Sequence, residues 1–215
     1  MDLFGTAGIR GDVGDAVTPS LALSVGRVVG QQAATAGVDV VVGRDGRTTG
    51  PGLAAAVEAG VLSAGAAVER IGRVPTPALA FASRGCRGVM LTASHNPPTD
   101  NGIKLFDDGS EYTDTQEADV SARVAESEDL AAWDRWGDTA EADVLPAYRE
   151  AVADYAAEYG AAVEDLTVVV DCGNGMAGVA TPDVLRALGA HVVTLNGNVD
   201  GHFPGRGSKP TEGTL

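Results

Sequence analysis

Hydrophobic and polar positions in the first part of the chain follow two patterns, one typical of amphipathic helices and one typical of buried strands. Thr18-Pro19 has the form of an N-cap with proline at the first helical position, apolar residues then recur at helical spacing, and Gly37 ends the pattern. Further strands are predicted at 38–42, 66–71 and 88–91, and further helices at 51–64 and 76–85. The rhythm of strand, helix and strand predicts an α/β fold.

The predicted strand at 88–91 gives way at once to polar residues and two prolines, which places Ser94 just beyond its carboxyl end. Open α/β sheets bind their ligands at that edge. Pro97 and Pro98 restrict the backbone, so the chain after Ser94 is predicted to be extended. Asn101-Gly102 predicts a tight turn into a strand that would return Lys104 to the neighbourhood of Ser94. A nucleophile and a cation are therefore expected to converge.

The second part of the chain begins a new strand and helix pattern after an acidic stretch at 107–143. That stretch is predicted to form surface helices and loops, with Trp133 and Trp136 packed back as anchors. Helices are predicted at 146–159 and 176–188, and strands at 166–171 and 190–195. The predicted domains are therefore 1–145 and 146–215. The closing segment, 196–215, is rich in glycine and proline and is expected to have no partner structure within the chain.

Composition and cysteine usage favour an ordinary intracellular protein. With 215 residues and 44% hydrophobic residues, the chain is long and apolar enough to form one large or two small domains. Cys86 and Cys172 are far apart, so neither a disulfide framework nor a zinc site is indicated. We find no signal-peptide pattern and no uncharged stretch of transmembrane length, so we expect a cytoplasmic protein that does not bind membranes.

The charge balance limits the possible partners. The formal net charge of -15 comes from 30 acidic residues against 15 basic ones, which argues against nucleic-acid binding. A solvated acidic coat of the kind suited to high salt explains this charge better than a basic partner does. Only Lys104 and Lys209 are lysines, so the presence of Lys104 beside the serine loop favours a functional role for it.

The block Thr-Ala-Ser-His-Asn-Pro at 92–97, with Asn-Gly-Ile-Lys at 101–104, carries the strongest functional signal. Taken singly, these residues are ordinary turn formers and a solvated lysine. As a block they resemble the phosphoserine loop of the α-D-phosphohexomutases, the family of phosphoglucomutase, phosphomannomutase and phosphoglucosamine mutase. Segments at 3–11, 42–47, 74–77, 171–178, 200–204 and 210–212 resemble the same family in the same order. The resemblance implies a three-layer α/β/α sandwich with a mixed sheet, followed by the start of a second similar α/β domain.

The resemblance also implies a reaction, the reversible transfer of phosphate between the 1- and 6-positions of a hexose. Ser94 would carry the phosphoryl group, and a hexose 1,6-bisphosphate would be both intermediate and activator. One Mg²⁺ per site would bind Ser94 through its phosphate, together with carboxylates that this chain does not supply. The substrate partner would be a hexose phosphate.

Roles for individual residues follow from the same resemblance. Arg10 and Lys104 match positions beside the phosphoserine, where a permanent positive charge would stabilise the reacting group. His95 and Asn96 would shape the loop and polarise the phosphate. For Arg44 and Arg47 two roles stay open, a phosphate contact or an ion pair with Asp45 or another acid. The expected catalytic set is Ser94, Arg10, Lys104 and His95, and the expected phosphate-loop set is Asn96, Arg44 and Arg47.

Three motifs of the family do not occur in this sequence. They are the Asp-Gly-Asp-x-Asp-Arg metal loop, the Gly-Glu-x-Ser/Thr-Gly-His sugar loop and the Arg-x-Ser-Gly-Thr phosphate loop. The chain is therefore expected to be the amino-terminal portion of a four-domain enzyme that needs carboxyl-terminal domains in cis or in trans. Alone it is expected to be inactive, and a regulatory fragment without catalysis is the alternative.

Two other enzyme classes fit the sequence less well than the mutase does. Gly-x-Gly-x-x-Gly at 173–178 lies between a predicted strand and helix, as in dinucleotide-binding proteins, but no acid follows the next strand directly and a tight glycine turn explains the motif equally. A serine hydrolase is disfavoured because Gly-x-Ser-x-Gly is absent. In an extended segment, His95 and Ser94 would also point to opposite sides.

Overall fold

The computed structural model describes residues 3–5, 8–126 and 130–213. The first part of the chain forms β1 (Ile9–Asp12), α1 (Pro19–Ala36), β2 (Val40–Arg44), α2 (Gly50–Ser63), β3 (Val68–Arg73), α3 (Thr76–Ala82), β4 (Arg87–Leu91), β5 (Asp100–Asp107), β6 (Ser110–Glu111), α4 (Asp114–Glu126) and β7 (Thr139–Glu141). The second part forms α5 (Leu145–Tyr159), β8 (Thr167–Asp171), a 3₁₀ helix (Met176–Val179), α6 (Thr181–Ala187) and β9 (His191–Leu195). Within the described residues, no helix combines the length and apolarity that a membrane span would need.

A seven-stranded mixed sheet organises the first part of the chain. Its order is β1-β5-β4-β2-β3-β7, with β6 paired to β5. Strands β4, β2, β3 and β7 run parallel to one another, whereas β1, β5 and β6 pair in antiparallel fashion. The carboxyl ends of the four parallel strands therefore meet at one edge, where ligands of α/β sheets bind.

Helices cover both faces of this sheet, as the strand periodicity requires. Val40 and Val42 point to a core shared with α1, α2 and α4, while Val41 points to a second core shared with α3 and the start of α5. Successive strand residues face opposite sides, so the continuous apolar run of β2 is buried from both. The expected three-layer α/β/α sandwich with a mixed sheet is confirmed.

Local signals in α1 fix its ends, and glycines fix its distance from α2. Thr18 Oγ1 accepts a hydrogen bond from Leu21 N at 3.1 Å, and Gly37 ends the helix with a left-handed φ of 70°. A Cβ at Gly30 would lie 2.7 Å from Val61 O, which is closer than such atoms approach. The backbones of α1 and α2 can pack this closely only because glycine lies at the contact.

The tight turn expected at Asn101-Gly102 is wrong, because both residues lie inside β5. Asn101 is fully buried and donates a hydrogen bond to Thr49 Oγ1 at 2.9 Å, while Gly102 O accepts one from Thr92 N at 3.0 Å. The strand therefore begins at Asp100, and the connection from β4 is the whole 92–99 segment. The second strand of the hairpin is longer than its apolar residues indicated.

The acidic stretch is attached to the fold through its backbone, and the expected tryptophan anchors are wrong. Trp133 is 89% exposed and Trp136 is 51% exposed. Ala131 N donates to Ser63 O at 2.8 Å and Gly137 N donates to Leu62 O at 3.0 Å, which fastens the segment to the end of α2. Strand β7, which the sequence pattern did not indicate, then extends the sheet beside β3.

The second part of the chain forms a smaller α/β unit. Strands β8 and β9 pair in parallel, with the 3₁₀ helix and α6 between them, so the single helix expected at 176–188 is interrupted. Ala180 has a φ of −138° and breaks the helical path before α6. Tyr148 on α5 contacts Phe81 of α3 edge to face, with centroids 6.0 Å apart. The unit therefore packs against the α3 side of the first sheet.

The described part of the closing segment, 196–213, has partners, contrary to expectation. Asn174 Nδ2 donates to Asn198 O at 3.1 Å, and Asn174 Oδ1 accepts from Gly205 N at 2.9 Å. Arg206 Nε lies 2.7 Å from Asp171 Oδ2. These contacts come from residues far apart in sequence, so the local glycine and proline content did not reveal them.

Candidate active site

Ser94 lies on the 92–99 loop, at the edge of the sheet where the parallel strands end. Ser94 and His95 are both exposed. They face a cleft of about 290 Å³ between this loop and the second unit. The cleft is lined by Asp45, Gly46, Pro75, Thr76, Pro77, Met90, Thr92, Ser94, His95, Gly175, Met176, Phe203 and Ser208. A serine hydroxyl is thus presented to a space between two folded parts of the chain.

The backbone at Ser94 is turned, and the expected extended conformation is wrong. Ser94 has a φ of 55°, in the left-handed region that costs a residue other than glycine about 1 to 3 kcal/mol. The turn is closed by Asn96 N, which donates to Ala93 O at 3.0 Å, and by Ser94 N, which donates to Thr92 Oγ1 at 3.1 Å. Ser94 Oγ and His95 Nδ1 consequently lie 3.5 Å apart, on the same side of the chain.

Arg47 holds this loop from beneath. Its side chain is fully buried, and its guanidinium donates to the backbone carbonyl oxygens of three residues of the 92–99 loop and of Asp100, the first residue of β5. These bonds reach Pro97 O at 2.6 Å, Asp100 O at 2.8 Å, Ser94 O at 2.9 Å and Asn96 O at 2.8 Å. The fifth N–H, at Nε, lies 3.2 Å from Asp45 Oδ2. Every donor of Arg47 is engaged, so we assign it a positioning role in place of the phosphate contact.

Asp45 joins Arg47 to the beginning of the loop. Its Oδ1 accepts from Arg47 N at 2.9 Å and its Oδ2 accepts from Thr92 Oγ1 at 2.7 Å. Asp45 is itself only 8% exposed, so its charge depends on these partners. The ion pair with Asp45 that the sequence left open for Arg47 is the arrangement found here.

The closing segment covers the same loop from the second unit. The ring of Phe203 lies 5.2 Å from Arg47 Cζ, and Phe203 is only 8% exposed. Ser208 Oγ donates to Asn96 O at 2.7 Å, with His95 O at 3.0 Å as a second acceptor. Sequence reasoning missed both residues, since nothing local to them indicated a contact more than a hundred residues away.

Arg10 and Lys104 lie on one face of neighbouring strands, the face that also carries Met90 and Thr92 of the cleft. Arg10 is opposite Gly102, two residues from Lys104 on β5. A Cβ at Gly102 would lie 2.8 Å from Arg10 Cγ, so that glycine leaves room for the arginine stem. Lys104 Nζ lies 2.6 Å from Glu111 Oε1. Both cations thus share a sheet face with Met90 and Thr92, but neither lines the Ser94 cleft, and Lys104 is paired to an acid.

The other two expected phosphate-loop residues have different surroundings. Asn96 Nδ2 donates to Asp100 Oδ2 at 3.0 Å, and this bond shapes the loop. Arg44 is not among the residues lining the Ser94 cleft and lies in a separate cleft beside it. The loop-shaping role expected for Asn96 therefore has a structural basis, while Arg44 is not brought to Ser94.

The residues around Ser94 do not form a complete magnesium site. No group of three histidine, cysteine, aspartate or glutamate side chains suited to a metal occurs among the described residues. Asp45 is committed to Arg47 and Thr92, and Asp100 accepts hydrogen bonds from Asn96 and Thr99. These residues supply a phosphorylatable oxygen without the free carboxylates that magnesium prefers.

The glycine loop at 173–178 is filled by the chain's own side chains, which argues against dinucleotide binding. A Cβ at Gly173 would lie 2.5 Å from Arg206 Nη2. Hydrogen bonds from Asn196, then from Gly173 N and Arg206, hold the pKa of Asp171 below its ordinary value. A short 3₁₀ helix follows the loop, where a pyrophosphate would need the start of an α-helix. The glycines serve a tight turn against Arg206.

Comparison with known families agrees with this geometry. Residues 1–131 match the family described as phosphoglucomutase/phosphomannomutase, alpha/beta/alpha domain I, and residues 146–215 match alpha/beta/alpha domain II of the same family. The chain belongs to the phosphoglucomutase/phosphomannomutase family. The 92–99 loop and the three-layer sheet around it are thus parts of the first domain of this family.

Individual relatives place the chain within the first half of longer proteins. It is 42% identical over 214 residues to a phosphopentomutase of Thermococcus kodakarensis, which covers 98% of this chain and 46% of the relative. It is 40% identical over 212 residues to a phosphomannomutase/phosphoglucomutase of Pseudomonas aeruginosa, covering 97% of this chain and 44% of the relative. A crystal structure of a family protein from Burkholderia thailandensis matches 94% of this chain and 45% of its own, with a TM-score of 0.82 and 32% identity. The chain spans about half the length of these proteins.

Removing the Arg47 side chain should destabilise the domain strongly. Arg47→Ala leaves Asp45 buried without its ion partner and frees four backbone carbonyls, three of them in the loop, and breaking a buried pair in this way costs about 3 to 5 kcal/mol. Urea denaturation of the variant and of the wild type measures the difference. Arg135→Ala, at an exposed position, is the control and should change the free energy of unfolding by less than about 0.5 kcal/mol. Equal, small effects of both substitutions would contradict the role assigned to Arg47.

Proposed function

We propose that Ser94 is the phosphoryl carrier of a sugar-phosphate mutase and that it takes part in transfer between the 1- and 6-positions of a hexose phosphate. Family membership supports the class of reaction. The observation that carries the assignment of the serine is that Ser94 is exposed at a cleft while the carbonyls around it are held by buried Arg47. Among the residues lining that cleft, Ser94 is the exposed hydroxyl on a fixed turn.

The proposed step conserves one phosphoryl group. The bond between phosphorus and Ser94 Oγ breaks as a bond between phosphorus and a sugar hydroxyl oxygen forms, and the proton of that hydroxyl ends on Ser94 Oγ. The resulting sugar bisphosphate reorients in the site, its other phosphate is transferred to Ser94 Oγ, and the serine proton passes to the sugar oxygen that loses the phosphate. Such transfers have little covalent chemistry for the protein to perform, so positioning and charge stabilisation provide the catalysis.

The fixed backbone of the loop suits this chemistry. A serine that alternates between phosphorylated and free forms stays aligned with the substrate only if its backbone keeps the same position in both forms. Arg47, Asp45 and Thr92 tie the loop to β2 and β4, which are rigid elements of the sheet. The loop therefore keeps Ser94 in its turned conformation at a small entropic cost per cycle.

Arg10 and Lys104 are proposed to stabilise the charge of the transferring group. Both lie on the face of the sheet that carries Met90 and Thr92. His95 is proposed to polarise the serine oxygen, since its Nδ1 is 3.5 Å from Ser94 Oγ. Asn96 holds the turn through Asp100.

We propose that other parts of the protein, in cis or in trans, complete the site. The relatives are about twice as long as this chain, and the described residues lack a carboxylate cluster for Mg²⁺. A hexose phosphate is the proposed substrate, and the relative from Thermococcus kodakarensis, named a phosphopentomutase, makes a pentose phosphate the first alternative to test.

Ser94 should accept one phosphate from a sugar bisphosphate. The protein, together with the domains proposed to complete it, is incubated with hexose 1,6-bisphosphate and digested, and the peptide containing Ser94 should gain one phosphate mass. Ser94→Ala should gain none, because no other hydroxyl is exposed on the turn. Thr92, whose hydroxyl donates to buried Asp45, is the internal control and should stay unmodified. Phosphate mapped to Thr92 in place of Ser94 would refute the assignment.

Lys104→Ala should slow phosphoryl transfer by roughly ten- to a thousandfold, the scale observed when one stabilising group is removed from a reacting centre. The structure offers a matched control, since Glu111 is the acid paired with Lys104. Glu111→Gln removes the ion pair and keeps the lysine charge, so its rate should stay within about threefold of the wild type. Stopped-flow or quench-flow transfer from the bisphosphate measures both. If the two variants are slowed equally, the lysine acts only through its ion pair with Glu111.

A further inference from the structure

A second cleft lies beside the one at Ser94 and is lined by arginines. Its volume is about 700 Å³, within the range of small-molecule sites. Arg44, Arg70 and Arg73 line it, together with Gly72, Pro51 and Glu58. None of its lining residues also lines the Ser94 cleft. Val74 N donates a hydrogen bond to Arg44 O at 2.9 Å, and this bond holds the chain segment that runs between the two clefts. The two clefts are therefore neighbours at one edge of the sheet.

Arg44 and Arg73 face this cleft from adjacent strand ends. Arg44 is the last residue of β2 and Arg73 is the last residue of β3, and the two are direct partners in the parallel ladder. Two positive side chains are thus fixed next to each other by strand register. Burial, and next the charge of Arg73, lower the pKa of Arg44, while Asp45 opposes this. The pair repels itself in the absence of an anion.

Arg44 and Arg73 form no ion pair within the described part of the chain, although the charge of Asp45 acts on Arg44. Ion pairs engage Arg47, Arg70, Arg87, Lys104, Arg123, Arg149, Arg186 and Arg206. Arg44 makes only a weak hydrogen bond, from Nη1 to Asp45 O at 3.4 Å. In a chain with 30 acidic residues, two adjacent arginines at a cleft are thus left without an ion pair among the described residues.

The acidic residues that line the cleft have neighbours other than Arg44 and Arg73. Glu58 lies 2.7 Å from Arg70 and is committed to that pair. Asp143 Oδ1 accepts from Leu145 N at 3.2 Å at the start of α5. Glu141 is the cross-strand partner of Arg70 on β7. Glu58 and Glu141 therefore lie beside Arg70 and Asp143 accepts a hydrogen bond at the start of α5, so none of the three is paired with Arg44 or Arg73.

The start of α2 adds to that positive end. A Cβ at Gly50 would lie 3.3 Å from Arg44 Cδ, so the arginine stem crosses the first turn of the helix. A helix N-terminus carries a partial positive charge, and a cation beside it is unfavourable unless an anion intervenes. Thr49 at the N-cap makes no side-chain hydrogen bond to the helix. Three positive contributions thus converge on one side of a cleft.

We propose that Arg44 and Arg73 form a second anion site, which binds the phosphate group of a small molecule outside the Ser94 cleft. The planar guanidinium binds phosphate through two parallel N–H bonds, and two of them on neighbouring strands can hold one phosphate from two sides. The ligand is inorganic phosphate or a phosphate monoester. In this proposal Arg44 contacts a phosphate, but it does so in the second cleft and not beside Ser94, where the contact was expected from the sequence.

A titration of the 215-residue chain at constant ionic strength tests the site. Inorganic phosphate replaces sodium chloride stepwise so that the ionic strength stays constant, and the side-chain Nε–Hε resonances of Arg44 and Arg73 are followed by NMR. Both should shift and saturate together. A parallel titration with glycerol phosphate shows whether a monoester binds more tightly than the free ion. Shifts that never saturate, or that occur only at backbone amides of 92–99, would overturn the proposal.

Matched variants separate this site from general charge effects. Arg73→Gln, at an exposed position, should weaken phosphate binding by about tenfold or more, because a hydrogen bond between two charged groups is lost. Arg73→Glu should abolish it by giving Arg44 an acidic neighbour. Arg135→Gln, which removes the same charge from an exposed arginine elsewhere, should bind as the wild type does. Equal weakening by Arg73→Gln and Arg135→Gln would show that only net charge matters and would overturn the site.

Discussion

The buried ion pair between Arg47 and Asp45 is the interaction on which the candidate active site depends. An arginine without exposed surface is stable only if each N–H finds an acceptor, and here the acceptors are Asp45, three carbonyls of the serine loop and the carbonyl of Asp100 at the start of β5. The arginine and the serine loop therefore depend on each other. The loop carbonyls are held in place by the arginine, and the arginine is stable because the loop takes this shape. The left-handed backbone of Ser94 is held by this mutual dependence.

The same pair connects the two parts of the chain. Phe203 of the closing segment covers the guanidinium, and Ser208 donates to carbonyls of the serine loop, including that of Asn96, which Arg47 also binds. The second unit therefore contacts the loop through the groups that position Ser94. In the function that we propose, a movement of the second unit would therefore change the position of the carrier serine. The neighbouring Arg44 cleft shares no lining residue with the Ser94 cleft and has its own charge imbalance.

Sequence reasoning succeeded where the determining contacts are local. Thr18, Gly37 and the strand before Ser94 were located from capping residues and apolar runs, because those signals act within a few residues. It failed where distant residues decide the outcome. Asn101 is drawn into β5 by Thr49, the backbone at Ser94 turns because Thr92 and Arg47 hold it, and the closing segment is ordered by Asn174 and Asp171. None of those partners is near in sequence, except Thr92.

The central claim is that Ser94 is exposed and yet fixed. Backbone ¹⁵N relaxation of the 215-residue chain tests this directly, because it measures the motion of each amide in the 92–99 loop. Order parameters close to about 0.85, the value of rigid backbone, are predicted for Ser94, His95 and Asn96 despite their position on a surface loop. Values below about 0.6, typical of a flexible loop, would show that Arg47 does not hold the serine in place and would contradict the account.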